Sequence, residues 1–343
     1  MSGLHYALGG ITGLVVSASG GKRLTFCGAA FTENMQVYGK NMKVFDFRFR
    51  PNTRAILDGI SKSAMFKEWS DATHFDQFPA QTLPEIVADL DKRGVVGTVI
   101  TGRDARSTYG SKDNNDTPDD GKKTNTIKVG LICIGDENND SVLEFCRAYP
   151  DKFFGFWGID PYNGMDAVRT IEKVVKEYGM RGVALDPYLA HMPASAARFY
   201  PIYTKCCELG VPVILTMAPP ANVPNALIDY TDPRDVEKVA HDFPELTLIM
   251  SHAGYPYVQE AIFTCMRNKN MYMDLSEYEK APMANLYVEA LNNGWLADKI
   301  LFASAHPFVE QGAAIEIYKN MPISDETREK VLYKNAFRIL GLK

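Results

Sequence analysis

The sequence of 343 residues predicts an α/β fold, a (β/α)8 TIM barrel formed by a single domain. From residue 42 to the C-terminus, short apolar runs alternate with helical patterns, which is typical of repeated βα units. The runs are apolar at nearly every position, as expected of strands that a parallel sheet buries on both faces. Their number is eight, which is the number that closes such a barrel. A doubly wound open sheet is the alternative fold, although it does not require eight strands.

The predicted strands are short segments rich in β-branched or aromatic residues. A polar residue or a Gly or Pro break follows each of them. In chain order they are KVFDF (43–47), VVGTVIT (95–101), FFGFWGI (153–159), GVALD (182–186), VPVILTM (211–217), LTLIMSH (246–252), MYMDLS (271–276) and KILFAS (299–304).

Amphipathic helical patterns lie between these strands. They cover residues 83–94, 142–149, 165–179, 199–210 and 234–243. Gly94, Gly179 and Gly210 each end such a pattern, at the position where a left-handed residue commonly caps a helix. The glycines therefore predict where three of the helices end.

Three segments do not fit the regular repeat. Residues 1–41 are rich in Gly and Ser and lack clear periodicity, so we expect an N-terminal extension that packs loosely or does not belong to the native protein. A secretory signal is the less favoured alternative, because no positive charge precedes the apolar residues 7–18. Residues 51–82 and 102–127 are long segments that follow strands 1 and 2. In a barrel, the loops after the strands form the active-site face.

Composition excludes several classes of function. The formal net charge is −5 and no basic stripe is present, so neither nucleic acid nor a membrane surface is an expected partner. No apolar run approaches the roughly 18 residues of a membrane span. The six cysteines lack C-x-x-C spacing, which fits free thiols in a reducing compartment. We therefore expect a cytoplasmic protein that acts on a small molecule.

Polar residues recur where the predicted strands end, and this shared position makes them candidates for a site. Each one alone is weak evidence, because a single His or Asp is often structural. In chain order they are Asp46, Arg48, Arg50, Thr101, Arg103, Arg106, Asp160, Asp186, Thr216, His252, Asp274, Glu277, Ser304 and His306.

Seven sequence blocks between residue 42 and the C-terminus carry a resemblance to a known family. They are VFDFRFRP, LPEIVADLDKRGV, PDKFFGFWGIDP, FYPIYTKCCELGVPVIL, FPELTLIMSHAG, ILFASAHPF and KVLYKNAFRILGL. With these blocks in the same order, the chain resembles the amidohydrolase-2 branch of the amidohydrolase superfamily, which includes aminocarboxymuconate-semialdehyde decarboxylase and related hydrolases and aromatic-acid decarboxylases. The resemblance implies a barrel enzyme and a homo-oligomer.

The chain departs from the family at the metal ligands. The family's first strand ends in Asp-x-His-x-His, whereas this chain has Arg48 and Arg50 at the two His positions. Thr216 and Ala305 stand where the resemblance implies a ligating His and Asp, and only His252 is retained. Arginine has no lone pair for a metal, and threonine is a poor ligand for zinc. We therefore expect neither a metal nor another cofactor.

The substitutions suggest how the site works. Two guanidinium groups supply the positive charge of a dication and donate paired hydrogen bonds to a carboxylate, so Arg48 and Arg50 are predicted to bind an anionic substrate. The alternative is that they pair permanently with acidic neighbours and fill an inactive site. His252 and Asp186 are the predicted catalytic acid/base residues, and packing of Asp186 against the arginines is the alternative for that residue. The other predicted substrate contacts are Arg103, Thr216, Glu277, Tyr278, Ser304 and His306.

Together these features favour a metal-independent hydrolase of a small carboxylated substrate with a lactone, amide or aromatic group. Two alternatives stay open. A carboxy-lyase is less natural if the arginines hold the departing carboxylate, because they then stabilise the ground state. A non-catalytic anion-binding barrel also fits the polar strand ends.

Overall fold

Eight parallel strands form one sheet in the computed structural model, which describes residues 42–61, 70–71, 74–104, 136–218 and 227–343. The strand order follows the chain from the first to the eighth, as in a (β/α)8 barrel, and excludes the order reversal of a doubly wound sheet. All eight predicted strands are confirmed. They are β1 (Val44–Asp46), β2 (Val95–Thr101), β3 (Phe153–Gly158), β4 (Gly182–Leu185), β5 (Val213–Thr216), β6 (Leu248–Ser251), β7 (Met271–Asp274) and β8 (Ile300–Leu301).

The last strand returns to the first just beyond the ends of β1 and β8. The amide of Phe47 donates to the carbonyl of Phe302 at 2.8 Å, and the amide of Ala305 donates to the carbonyl of Arg48 at 2.9 Å. A third bond runs from the amide of Arg50 to the carbonyl of His306 at 3.0 Å. The chain after β1 is therefore fixed to the chain after β8 at the carboxyl end of the barrel.

Helices surround the sheet, and the described ones are α1 (Arg54–Ser61), α2 (Leu83–Lys92), α3 (Asp136–Ala148), α4 (Met165–Tyr178), α5 (Tyr200–Leu209), α6 (Pro233–Asp242), α7 (Val258–Arg267), α8 (Asn285–Asn292), α9 (Gln311–Lys319), α10 (Asp325–Glu329) and α11 (Asn335–Leu340). The three predicted helix-ending glycines have positive φ angles of 76°, 70° and 65° at Gly94, Gly179 and Gly210. A left-handed backbone suits glycine because it has no Cβ.

Aromatic side chains fill the barrel interior. Phe45 and Phe154 lie 5.3 Å apart between ring centroids, and Phe47 lies 5.9 Å from Phe156. A Cβ at Gly182 would lie 2.2 Å from the Phe156 ring, so glycine is needed there to admit the ring. This packed interior leaves the carboxyl end of the strands as the place for a site.

Some predictions fall outside the described residues. These are the N-terminal extension 1–41 and residues 105–127 of the second long segment, including Arg106. Within the first long segment, the structure describes α1 and a short 3₁₀ turn at Phe75–Gln77. In the described part of the chain, no helix is long and apolar enough to cross a membrane.

Candidate active site

The predicted site residues lie where the strands end at one rim of the barrel. Asp46, Thr101, Thr216 and Asp274 end β1, β2, β5 and β7, while the other predicted residues in the described part of the chain follow the strands. Because the strands are parallel and consecutive, these residues are carried to the same end of the sheet.

Asp46 anchors the first strand to the eighth. Its buried carboxylate accepts hydrogen bonds from the Ser304 hydroxyl at 2.6 Å, Gln311 Nε2 at 2.8 Å, the Ser304 amide at 2.9 Å and the Arg48 amide at 3.1 Å. Burial raises the pKa of Asp46 to about 6, although these donors lower it. Ser304 is fully buried and its Oγ also accepts from the His306 amide at 3.0 Å. The Ser304 hydroxyl therefore holds the strand ends together, which differs from the predicted substrate contact.

Arg48 and Arg50 lie side by side with donors that have no partner. Arg48 is 2% exposed, and its Nη1 donates to Ser251 Oγ at 3.0 Å, but its buried Nε has no hydrogen-bond partner. Arg50 is 8% exposed and its buried Nη1 also lacks a partner. The Arg50 guanidinium packs over the ring of Phe308, 5.3 Å from its centroid.

These two arginines carry charge that the protein does not neutralise by contact. Burial, together with repulsion from Arg48 and Arg103, lowers the pKa of Arg50 to about 9, which leaves the guanidinium protonated at neutral pH. Among the described residues, neither Arg48 nor Arg50 forms an ion pair with a carboxylate. Buried donors without partners are unusual, and an anion placed against them would satisfy them.

Asp186 pairs with Arg103. The Arg103 side chain donates from Nε to Asp186 Oδ2 at 3.0 Å and from Nη2 to Oδ1 at 3.1 Å. Burial alone would lower the pKa of Arg103, but the attraction of Asp186 outweighs it and the pKa is raised. The predicted cooperation of Asp186 with His252 is therefore not the arrangement found, because both carboxylate oxygens bind the guanidinium.

His252 is held in one tautomer. Its Nδ1 lies 2.9 Å from the carbonyl oxygen of Ser276, which only accepts, so Nδ1 carries the proton and Nε2 has the lone pair. Burial, followed by the repulsion of Arg48, lowers the pKa of His252 well below its usual value. Asp274 fixes the local backbone by accepting from the His252 amide at 3.2 Å and the Ser276 amide at 3.1 Å. The imidazole is thus neutral and presents a base.

Glu277 and Tyr278 follow β7 beside this imidazole. The Glu277 side chain is exposed, yet burial of its surroundings raises the pKa of the carboxyl group even though Arg50 and Arg48 lower it. The Tyr278 ring meets the His252 ring edge-on at 5.7 Å and stacks on Tyr255 at 4.6 Å.

His306 and Thr216 complete the predicted set. The His306 ring stacks on Phe49 with centroids 5.0 Å apart, and burial lowers the pKa of His306 to about 4. Its buried Nδ1 has no hydrogen-bond partner. Thr216 is 4% exposed at the end of β5. His306 is therefore a neutral ring with a free nitrogen, and neither residue has a demonstrated role.

Three strand ends carry left-handed backbone at residues other than glycine. The φ angles are 68° at His252, 71° at Glu277 and 55° at Ala305, after β6, β7 and β8 respectively. Such conformations are uncommon for these residue types and often occur at functional sites. Two of these residues, His252 and Glu277, carry titratable side chains.

Sequence reasoning missed four residues that organise the site. Ser251 binds Arg48, the Ser276 carbonyl orients His252, and Gln311 binds Asp46. Tyr188 is 1% exposed and interacts electrostatically with Arg103 and Asp186. Ser251 and Ser276 adjoin predicted strand-end residues, and Tyr188 lies two residues after Asp186, but nothing local marks Gln311.

A divalent cation does not fit the described residues. Among them, no group of three or more His, Cys, Asp and Glu residues could hold a metal ion. The protonated guanidinium groups of Arg48 and Arg50 have unpartnered donors and would repel a cation bound at the carboxyl end of the barrel. The donor set is suited to an anion.

The structure is a barrel protein whose rim carries unpartnered guanidinium donors and a neutral imidazole. Residues 128–342, more than half of the chain, match the family described as Amidohydrolase (Amidohydro_2). The chain therefore belongs to the amidohydrolase family and is an enzyme.

Solved structures are similar over most of the chain. An uncharacterised TIM-barrel protein of Bordetella bronchiseptica is 25% identical, with a TM-score of 0.64 over 88% of this chain and 99% of that one. A 2,6-dihydroxybenzoate decarboxylase from Rhizobium is 16% identical, with a TM-score of 0.59 over 88% and 99%. A dihydroxybenzoic acid decarboxylase from Polaromonas, with bound manganese and 2-nitroresorcinol, is 17% identical, with a TM-score of 0.58 over 88% and 97%. The two decarboxylases share the fold with this chain.

Proposed function

We propose that this enzyme is a metal-independent carboxy-lyase that removes CO2 from a small hydroxylated aromatic carboxylate. The observation that carries the proposal is the pair of buried guanidinium groups with unpartnered donors, Arg48 and Arg50, beside the neutral imidazole of His252. The activity of the two decarboxylases of this fold favours a lyase over the hydrolase that the sequence suggested.

The arginine pair suits a substrate that carries its carboxylate next to a hydroxyl group. The guanidinium donors bind the carboxylate first, since charge-assisted hydrogen bonds are the strongest that a side chain offers. When the bond to CO2 breaks, its electron pair returns to the ring and leaves negative charge on the hydroxyl oxygen. That charge stays beside Arg48 and Arg50, so the developing anion is stabilised and not only the bound carboxylate.

His252 handles the proton of the hydroxyl group. Its Nε2 accepts this proton while the ring carbon is being protonated, and the imidazolium returns it to the oxygen after CO2 has left. The bond from Nδ1 to the Ser276 carbonyl at 2.9 Å keeps the ring in the tautomer that this role requires.

Hydrolysis is the second candidate, and the neutral state of His252 favours it. An imidazole with a free Nε2 can also activate water for attack on a lactone or amide carbonyl. The arginine pair would then stabilise the oxyanion formed on that carbonyl. The two candidates differ in their products, because only the lyase releases CO2.

The test is a product assay on purified protein whose metal content has been measured. The enzyme is incubated with 2,6-dihydroxybenzoate and other hydroxybenzoates, and in parallel with carboxylated lactones and amides, while CO2 and aromatic products are quantified. We expect CO2 release from a hydroxybenzoate that is insensitive to chelators and abolished in His252→Asn. Opening of a lactone or amide without CO2 would establish the hydrolase instead. Stoichiometric bound zinc or manganese would refute metal independence.

The oligomeric state and cellular location stay predictions. We propose a homo-oligomer in the cytoplasm, on the family resemblance and the cysteine pattern respectively. Size-exclusion chromatography with light scattering measures the first, and cell fractionation measures the second.

A further inference from the structure

Decarboxylation requires a proton at the ring carbon that loses CO2, and the groups described so far do not provide it. His252 Nε2 has a lone pair at rest, and its Nδ1 proton is bound to the Ser276 carbonyl. Arginine is too weak an acid to protonate carbon. The proposed function therefore needs one more titratable group on the rim, and the following inference rests on that function.

Most carboxylates on the rim are committed to other partners. Asp46 accepts four hydrogen bonds at the junction of β1 and β8, and Asp186 binds Arg103 with both oxygens. Asp274 accepts from the amides of His252 and Ser276. These bonds remove all three from the list of proton donors to a substrate.

Glu277 differs from them because its carboxyl group is not engaged. Within the described part of the chain it forms no hydrogen bond or ion pair, and its side chain is exposed. It nevertheless lies close enough to Arg50, Arg48 and Arg103 to interact with them electrostatically. Glu277 therefore lies near these guanidinium groups without a hydrogen bond or ion pair to them among the described residues.

The backbone holds Glu277 in this position. Its φ angle is 71°, a left-handed conformation that a glutamate seldom adopts. Ser276, the preceding residue, binds His252 through its carbonyl and Asp274 through its amide. Glu277 follows β7 and His252 follows β6, and the hydrogen bond from His252 to the Ser276 carbonyl links these two neighbouring turns.

We propose that Glu277 is the catalytic acid that protonates the ring carbon from which CO2 departs. The neutral carboxyl group transfers its proton to that carbon while His252 Nε2 accepts the hydroxyl proton and the oxygen becomes a carbonyl. The carbon–carboxylate bond then breaks, its electron pair restores the ring, CO2 leaves, and His252 returns its proton to the oxygen. Solvent reprotonates Glu277, so each turnover consumes one carboxylate and one proton and yields one arene and one CO2.

The electrostatic surroundings agree with this assignment. Burial and the nearby Asp274 raise the pKa of Glu277, while Arg50, Arg48 and Arg103 lower it, and the net direction is upward. The pKa of Glu277 is raised and that of His252 is lowered, and such opposite shifts of an acid and a base are typical of catalytic pairs. The neighbouring Glu279 is a separate group, whose Oε1 is buried without a partner.

The experiment compares the wild-type enzyme with Glu277→Gln, Glu277→Gly and the surface control Glu289→Gln. We expect Glu277→Gln to lose at least about 100-fold in kcat for CO2 release from 2,6-dihydroxybenzoate, or from whichever hydroxybenzoate of the panel is fastest, with Kd within about 3-fold. Glu277→Gly relieves the left-handed backbone, and added formate, as formic acid, should partly restore its rate. In D2O, the deuterium that wild-type places at the vacated carbon should appear at a correspondingly reduced rate in Glu277→Gln.

The outcomes separate this inference from the function on which it rests. If the wild-type releases CO2 and Glu277→Gln keeps its rate, Glu277 is not the acid and the lyase stands. If Glu277→Gln loses the rate and formate fails to rescue Glu277→Gly, Glu277 acts on structure and the inference is overturned. If the wild-type releases no CO2 from any hydroxybenzoate, the lyase itself is refuted.

Discussion

Replacing Arg50 by methionine separates a ligand-binding role from a structural one. Arg50 is 8% exposed, its Nη1 has no partner, and it forms no ion pair with the described carboxylates. Its guanidinium packs over the Phe308 ring at 5.3 Å, a contact that contributes about 0.5–2 kcal/mol. Against this stands the desolvation of a buried cation, which costs several kcal/mol. Arg50→Met should therefore leave the free energy of unfolding unchanged or increase it.

Ligand binding should change in the opposite direction. A hydrogen bond to a charged group contributes about 1.5–3 kcal/mol, so losing it should weaken a bound carboxylate by roughly 10- to 150-fold. The assay is calorimetric titration with 2,6-dihydroxybenzoate, combined with thermal unfolding of the same samples. Arg169→Met is the control, because Arg169 is 72% exposed and pairs only with Asp166 on α4.

A permanent structural pair would give the reverse result. In that case, Arg50→Met would lower the Tm by many degrees while the affinity for carboxylates stayed constant. That combination of results would refute the inference that Arg48 and Arg50 bind an anionic ligand.

Three further predictions test other parts of the structure. His252→Asn should lower kcat by about 10²- to 10⁴-fold and leave the Kd for a hydroxybenzoate unchanged, and equal activity would exclude it as the base. The pKa of Asp46 is about 6 in the folded protein, against an ordinary value of 3.8. Between these two pH values the folded state binds a proton that the unfolded state has lost, so the contribution of Asp46 to the free energy of unfolding falls as the pH rises from about 4 to 6. The wild-type and Asp46→Asn unfolding curves should diverge by on the order of 3 kcal/mol across this window, and parallel curves would contradict the burial effect. Gly182→Ala should lower the free energy of unfolding by about 1–3 kcal/mol, because the new Cβ would overlap the Phe156 ring, and an unchanged Tm would show that the barrel interior yields.

The strand pattern was readable because burial on both faces leaves a continuous apolar run in the sequence. Runs such as 95–101 and 153–159 therefore located β2 and β3 almost to the residue. Glycines marked the helix ends for a similarly local reason, since a left-handed residue is needed there. Local patterns of this kind require no knowledge of distant partners.

The partners of the charged residues could not be read in the same way. Arg103 and Asp186 are 83 positions apart, and Asp46 and Gln311 are 265 apart. From the sequence alone, each strand-end carboxylate could be the partner of any of the arginines, because the distances between them are known only in the folded barrel. For this reason, the sequence left Asp186 with two alternatives, a catalytic role beside His252 or packing against an arginine, and the structure pairs it with Arg103.

The sequence by itself determined the eight strands, their parallel order and the rim at which the polar residues would gather. The tertiary structure decided which charges are neutralised and which stay free. In the folded protein, Asp186 pairs with Arg103. Asp46 accepts hydrogen bonds from Ser304 and Gln311. One buried donor of Arg48 and one of Arg50 have no partner among the described residues. The physical reason is that buried strands and repeated βα units leave local patterns of apolar residues in the sequence. Electrostatic pairing depends instead on distances between residues far apart in the chain, and these distances are set only by folding.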